Sequence, residues 1–380
     1  MATSDSVLIV ELRYEGHHLM YMVGVVRAFL KAGRQVTLAL DLRNDQALAS
    51  IRRRDPLLLN KVTVLSLFDE HQQWRGGSLL ESVSLCTADV CADEVFFNCF
   101  DEIASSLFRR AALGILPPKN IRGKLSGIYL RARPVDPKEK GFGKCWKAYG
   151  LKRLLKKNTF KHLFLMDEFL PNPDPNVFSF LPDPYFNDFK YTREEARQAL
   201  GIPLDRIVFL HYGTAGKRKG LSVFLEAFSG LHNERKWLLC AGRQSDSAIL
   251  KALQAEVHQD CASYLDHYIF EEEETLCFCA ADCVCIPYID HYGSSGPFVR
   301  AAGTGKPVIV SDCRLLRRRT EEYDMGLVCK QNDAQSLLNT LECFCQLGSD
   351  ELERLQANAK RCGALFNESS FEAHLLKQRP

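Results

Sequence analysis

Strand-length apolar runs alternate with helix-length amphipathic segments along most of this chain, and that alternation constrains the fold more than any other feature. A strand buried on both faces reads as a continuous apolar run, and a parallel partner needs a crossover helix. Repeated β-α-β alternation therefore specifies a parallel sheet covered by helices. Val7 to Leu12 is such a run, Arg13 to His18 a loop and Met20 to Ala32 a helix. Gly33 fits a helix C-terminal cap before a second strand, Val36 to Leu40. Further strands are expected at Lys61 to Leu67, Glu94 to Cys99 and His162 to Met166.

Pro171 to Pro184 interrupts the pattern with five prolines among Asp and Asn residues, so it is expected to lack regular structure and to mark a domain boundary. The alternation then restarts. Helices are expected at Thr192 to Leu200, Ser222 to Phe228, Ile249 to Val257, Glu274 to Ala281 and Pro297 to Thr304. Between them lie strands at Arg206 to His211, Lys236 to Cys240, Tyr268 to Phe270, Cys283 to Pro287, Pro307 to Ser311 and Gly326 to Cys329. At 380 residues the chain is long enough for about two domains. The predicted fold class is α/β, two Rossmann-like doubly wound parallel-sheet domains facing a cleft: 1–184, 185–365, and a tail over 366–380.

A net charge of +2 gives no global polyelectrolyte character, so no nucleic-acid partner is expected. No run approaches the roughly 18 uncharged apolar residues of a membrane span. Met1 leads through a polar tetrapeptide into a strand, without a secretory pattern, so the expectation is a cytoplasmic protein. The fifteen cysteines form no C-x-x-C pair and read as small buried hydrophobes; Cys277, Cys279, Cys283 and Cys285 lack common zinc spacing. The local exception to the charge balance is 119–161, with fourteen Lys or Arg against Asp136 and Glu139 and a helical Trp146/Tyr149/Leu154/Leu155 pattern. It is either a solvated basic face or a peripheral contact with an anionic membrane, at the inner face.

Three constellations can carry chemistry. The first, Tyr212-Gly213-Thr214-Ala215-Gly216-Lys217-Arg218-Lys219-Gly220, lies between a buried strand and a helix and is either a ligand loop or a basic surface turn. Its small residues admit backbone amides to a ligand, the helix start adds partial positive charge, and Lys219 adds a full one; together they suit a phosphate. The second, His291-Tyr292-Gly293-Ser294-Ser295-Gly296-Pro297, also follows a strand and opens a helix with proline at its start, another expected anion cradle. Arg300 on that helix reaches either a phosphate or an internal ion-pair partner. The third is Glu15-Gly16-His17-His18 after the first strand, with Asp101 and Glu102 after the Glu94 to Cys99 strand. There the histidines either touch substrate or are satisfied in the core, and the acids either meet an acceptor hydroxyl or charge a helix start.

Lys219-Gly220, Phe224-Leu225-Glu226-Ala227-Phe228, Ala241-Gly242 and Ala301 to Ile309 follow one another in an order that resembles GT-B-fold glycosyltransferases, specifically the large retaining nucleotide-sugar group, glycosyl transferases group 1. The resemblance covers Arg206 to Val328. It implies that Lys219 binds a donor diphosphate, that Gly213, Thr214, Lys217 and Gly293 to Gly296 line the donor subsite, and that Gly16, His17, His18 and Asp101 serve the acceptor side. His17, Asp101 and Lys219 are then the catalytic candidates. Two positions depart from the group: Thr214 stands where a second cation is usual, and the E-x7-E acids fall on Tyr292 and Arg300. Without a D-x-D triplet, metal-independent transfer is expected, with no cofactor. The implied activity moves a sugar, with retention, from a nucleotide-diphospho-sugar to a sugar, lipid-linked or small-molecule acceptor. A sugar-nucleotide epimerase and a non-catalytic glycosyltransferase-like binding protein are the alternatives on the same scaffold.

Overall fold

The computed structural model describes residues 5–14, 16–186, 188–214, 216–244 and 246–377, with only the backbone of His17. The chain divides into two units, 1–182 with 371–380, and 183–370.

The first unit is built on a seven-stranded, fully parallel sheet: β1 (Ser6–Glu11), β2 (Gln35–Leu40), β3 (Thr63–Ser66), β4 (Glu94–Phe97), β5 (Leu125–Tyr129), β6 (Phe160–Leu165) and β7 (Phe178–Phe180), in the order β3-β2-β1-β4-β5-β6-β7. Its central strand shows why these runs are uninterrupted. Leu8 and Val10 pack into one hydrophobic layer, Val7 and Ile9 into the other, so neither face tolerates a polar residue. Two elements escaped the sequence reading. β5 lies inside the basic segment, which is an ordinary β-α-β unit around the helix Phe142–Lys156. β7 lies inside the Pro-rich stretch expected to lack regular structure. It is an edge strand paired only with β6, and no proline occupies its three positions, the circumstance in which a proline-flanked strand survives.

The second unit holds six parallel strands: β8 (Ile207–Tyr212), β9 (Lys236–Ala241), β10 (Ala262–Leu265), β11 (Cys283–Ile286), β12 (Val308–Ser311) and β13 (Gly326–Cys329), ordered β10-β9-β8-β11-β12-β13. The third of these corrects the expected strand at Tyr268 to Phe270. Ala262–Leu265 pairs residue for residue with Leu238–Ala241, whereas Tyr268 and Phe270 are exposed and Phe270 precedes the helix Glu271–Ala280. The preceding boundary is local chemistry: Thr192 accepts from the Glu195 amide in a capping box, and Gly201 ends the helix Arg193–Leu200 at φ 66°.

Residues 366–380, expected as a tail, instead carry the helix Glu368–Lys377, whose Phe371 and Leu375 are buried in the core of the first unit. All fifteen cysteines are free thiols, and eleven are buried.

Candidate functional site

In each sheet the strand order reverses once, between β1 and β4 and between β8 and β11. Open parallel sheets hold ligands beyond the carboxyl ends of their strands at such a point. In the second unit, Gly220 lets the loop leaving β8 press against the one leaving β11, and Gly242 lets the end of β9 press against the β8 loop. A Cβ on Gly220 (φ 70°) would fall 1.8 Å from the Pro287 carbonyl oxygen, and one on Gly242 (φ 132°) would fall 2.5 Å from the Gly213 carbonyl. Only glycine fits either place.

Lys219 sits in a single 3-10 turn, Lys217–Lys219, and its Nζ donates to the Tyr288 hydroxyl, 4.4 Å from that ring's centroid. The same ammonium lies 3.3 Å from where a Gly213 Cβ would stand, so it is held over the bare backbone of the first loop. Arg218 ties the loops further: its carbonyl accepts from the Ile289 amide at 2.9 Å and its guanidinium meets His291 Nδ1 at 2.7 Å. Thr214 and Lys217 are exposed, and Gly213 is half-buried. Beneath the loop, His211 is 1% exposed and its Nε2 lies 3.2 Å from the Lys219 carbonyl; because a carbonyl only accepts, the ring donates. Burial lowers the pKa of this imidazole to about 4, so it is a neutral strut.

From β11 the chain passes Gly293 and reaches the helix Gly296–Gly303, with Pro297 at its start. Ser294 Oγ accepts from the buried Arg319 at 2.6 Å. Ser295, only 2% exposed at the helix N-cap, caps no backbone amide, and its hydroxyl has no hydrogen-bond partner among the described residues. An orphan hydroxyl beside free helix-start amides matches what an anion's oxygens require. Arg300 occupies the second of the two positions departing from E-x7-E. Its Nε contacts Glu274 Oε1 at 2.6 Å, and Glu274 Oε2 accepts from the Tyr212 hydroxyl at 2.5 Å. The structure thus commits Arg300 to an ion pair with a carboxylate from the neighbouring helix. Sequence reasoning missed Glu274, Tyr288 and Arg319 because each becomes relevant only through a contact distant in the chain.

The matching point of the first unit is built differently. The Glu11 side chain, 1% exposed, accepts from the Leu12 and Arg13 amides at 2.7 and 2.8 Å and from the Asn98 amide group, and lies 3.3 Å from His18 Nδ1. Asn98 also donates to the His18 carbonyl at 2.9 Å. His18 is therefore among the core-satisfied histidines, with Glu11 and Asn98 as partners the sequence did not single out. Gly16 caps the helix His17–Lys31 at φ 56°; the His17 side chain lies outside the described residues. Asp101 accepts from the Leu130 and Arg131 amides at 2.8 and 3.0 Å, and burial raises its pKa. Its carboxylate clamps the end of β5.

Among the described residues, one group has metal-ligand character: atoms of His18, Cys99 and Glu102 within 4.8 Å of one another. Arg13 already pairs with Glu102 at 3.1 Å, and burial raises the Cys99 thiol pKa, leaving it protonated. These features disfavour a resident cation.

Two fully parallel, doubly wound sheets are the architecture of a GT-B-fold protein. Residues 192–361, nearly all of the second unit, match the family model described as Glycosyl transferases group 1, extending the resemblance seen between Arg206 and Val328. No curated protein sequence matches significantly. Solved structures with the same fold include a glycosyltransferase from Rickettsia africae ESF-5 (TM-score 0.72, 13% identity, covering 98% of this chain and 97% of that one). Anabaena HepE in complex with UDP is similar at TM-score 0.69 and 12% identity, with 99% of each chain covered. The sucrose-phosphate synthase of Thermosynechococcus elongatus is similar at TM-score 0.68 and 15% identity, with 98% of each covered.

Proposed function

We propose that this chain is a glycosyltransferase of hexosyltransferase type that moves a sugar from a nucleotide-diphospho-sugar to a sugar, lipid-linked or small-molecule acceptor, with retention and without a metal. The observation that carries this reading is the paired loop at the β8/β11 reversal, where Lys219 is held over Gly213 and the buried Ser295 hydroxyl stands unpartnered at a helix start. The main barrier to glycosyl transfer is negative charge growing on the leaving diphosphate. A fixed ammonium and preoriented amides stabilise that charge without reorganising. Lys219 acts on the leaving group in this proposal, and Gly213, Thr214, Lys217, Gly293, Ser294, Ser295 and Gly296 line its subsite. The first unit, through Gly16 and His17, serves the acceptor, whereas His18 and Asp101 are taken up by contacts within the fold. HepE has been solved with UDP and with UDP-glucose, so uridine donors are the first to test.

The ion pair of Arg300 with Glu274 favours a second reading. Where the group has a donor-binding acid, this protein has spent the position on an internal contact, which suits a binding protein without turnover.

A thermal-shift screen across nucleoside diphosphates and their sugar conjugates tests the cradle, since ligand at about 100 times its Kd stabilises the fold by roughly 2.7 kcal/mol. Stabilisation followed by sugar transfer to an added acceptor is the expected result. Stabilisation without transfer or donor hydrolysis supports the second reading, donor epimerisation without acceptor supports an epimerase, and no shift with any nucleotide overturns both donor-site readings.

A further inference from the structure

The basic segment of the first unit separates into two populations. Arg122 and Lys124 donate to the Pro117 and Ala92 carbonyls at 2.7 and 2.6 Å, and Lys161 lies 3.7 Å from Glu94, so these cations belong to the fold. Lys138, Lys140, Lys144 and Lys147 differ: none of their ammonium groups has an ion-pair or hydrogen-bond partner among the described residues. They flank the start of the helix Phe142–Lys156, which contains five Lys or Arg and no acid.

That helix is seated by only half its length. Gly150, Leu151 and Leu154 are buried, and a Cβ on Gly150 would fall 1.8 Å from the Phe108 carbonyl oxygen, so its second half lies hard against the helix Asp101–Ala112. Its first two turns stand out. Phe142 is 84% exposed and Tyr149 55% exposed, while Trp146 stacks on Phe142 with ring centroids 6.2 Å apart and planes at 20°. Spacings of four and three residues place all three rings on one face. Holding a phenylalanine in water forfeits most of its burial energy, and no packing in this unit recovers it.

We infer that the aromatic face of Phe142, Trp146 and Tyr149, with Phe142 and Tyr149 exposed and Trp146 half-buried, flanked by Lys138, Lys140, Lys144 and Lys147, docks the first unit on an anionic lipid bilayer. Charge complementarity selects the occupant: unpaired lysines are drawn to a negatively charged leaflet, and aromatic rings beside them partition into the headgroup layer. A polyanion such as RNA would satisfy the lysines but gives Phe142 no apolar phase to enter. The inference stands apart from the glycosyltransferase reading, because it rests on this surface alone.

The test is flotation of the full chain with vesicles of phosphatidylcholine alone and with phosphatidylglycerol added, together with tryptophan emission in brominated anionic lipid. Binding should require the anionic lipid. Lys144→Gln with Lys147→Gln should weaken it about 30-fold, at roughly 1 kcal/mol for each lysine near the surface. Phe142→Ala should weaken it while all charges remain, and quenching by brominated lipid should disappear in Trp146→Phe. Phe142 is 84% exposed and stacks only on the neighbouring Trp146 among the ring contacts of the described residues, so these variants should melt close to the unmodified protein. Equal flotation with neutral and anionic vesicles overturns the inference, as does anionic binding insensitive to both Phe142→Ala and the lysine pair. Preference for a short RNA over anionic vesicles, with Phe142→Ala without effect, overturns it in favour of a nucleic-acid partner.

Discussion

The two sheets reverse their strand order in the same way, yet the residues at the two reversal points are chemically opposite. At the β1/β4 point a buried carboxylate, Glu11, is surrounded by donors from Leu12, Arg13, Asn98 and His18. At the β8/β11 point an ammonium is held over bare glycine backbone, and the helix after β11 opens on a buried hydroxyl with no partner among the described residues. The first arrangement uses its polar groups on itself and fixes a loop. The second leaves a hydroxyl without a partner among the described residues, which costs stability; under the proposed function an anion supplies that partner. Topology supplies the crevice in both units; side-chain bookkeeping decides whether it braces the fold or awaits a ligand.

Four substitutions or conditions test this contrast. The largest effect is expected from Glu11→Ala, which strips the acceptor from two backbone amides, an amide side chain and a histidine at once. Chemical denaturation should show a loss on the order of 3–5 kcal/mol. A loss near zero would mean that the first crevice is not self-braced.

Next is acidification. His211 has a folded-state pKa of about 4 against an ordinary 6.5, so protons bind the unfolded chain more readily than the native one. Stability complete above pH 6.5 should therefore decline as pH falls toward 4, by up to about 3 kcal/mol. His211→Phe keeps a ring against Phe224 and removes the titration; an unchanged pH profile in that variant would show that another group is responsible.

Lys219→Ala should leave the melting temperature nearly unaltered and weaken nucleoside-diphosphate binding by about 1.5–3 kcal/mol in calorimetry. Unaltered affinity would remove Lys219 from the cradle. The smallest and most discriminating change is Ser295→Ala. Because its hydroxyl is buried without a partner among the described residues, the empty protein should be no less stable, while diphosphate affinity should fall by about 1 kcal/mol. If instead the unliganded protein loses stability, the hydroxyl is serving the fold and the contrast between the two crevices fails.

Much of this was legible in the sequence. Strands β1, β2, β8, β9, β11 and β12 announce themselves because burial on both faces forces unbroken apolar runs, and Thr192 and Gly201 mark helix ends by capping chemistry confined to a few residues. The glycine-lysine loop and the Gly-Ser-Ser-Gly loop were visible for the same reason: a backbone that approaches an anion requires particular residues locally. Other features were illegible. β5 is hidden among lysines and β7 among prolines, since each becomes a strand by pairing with a neighbour already in place. Tyr268 to Phe270 has β-favouring residues but no partner, and it is not a strand.

The sequence by itself determined the parallel α/β class, the alternation of elements and the positions of the glycine-lysine and Gly-Ser-Ser-Gly loops, because each depends on residues close together in the chain. Only the tertiary structure decided that Arg300 is committed to Glu274, that Asp101 clamps β5, that Glu11 and Asn98 rather than substrate satisfy His18, and that residues 371–377 return to the first core. Those outcomes turn on which polar and apolar groups are brought together from distant parts of the chain, where the cost of burying an unpaired group selects partners that local pattern cannot reveal.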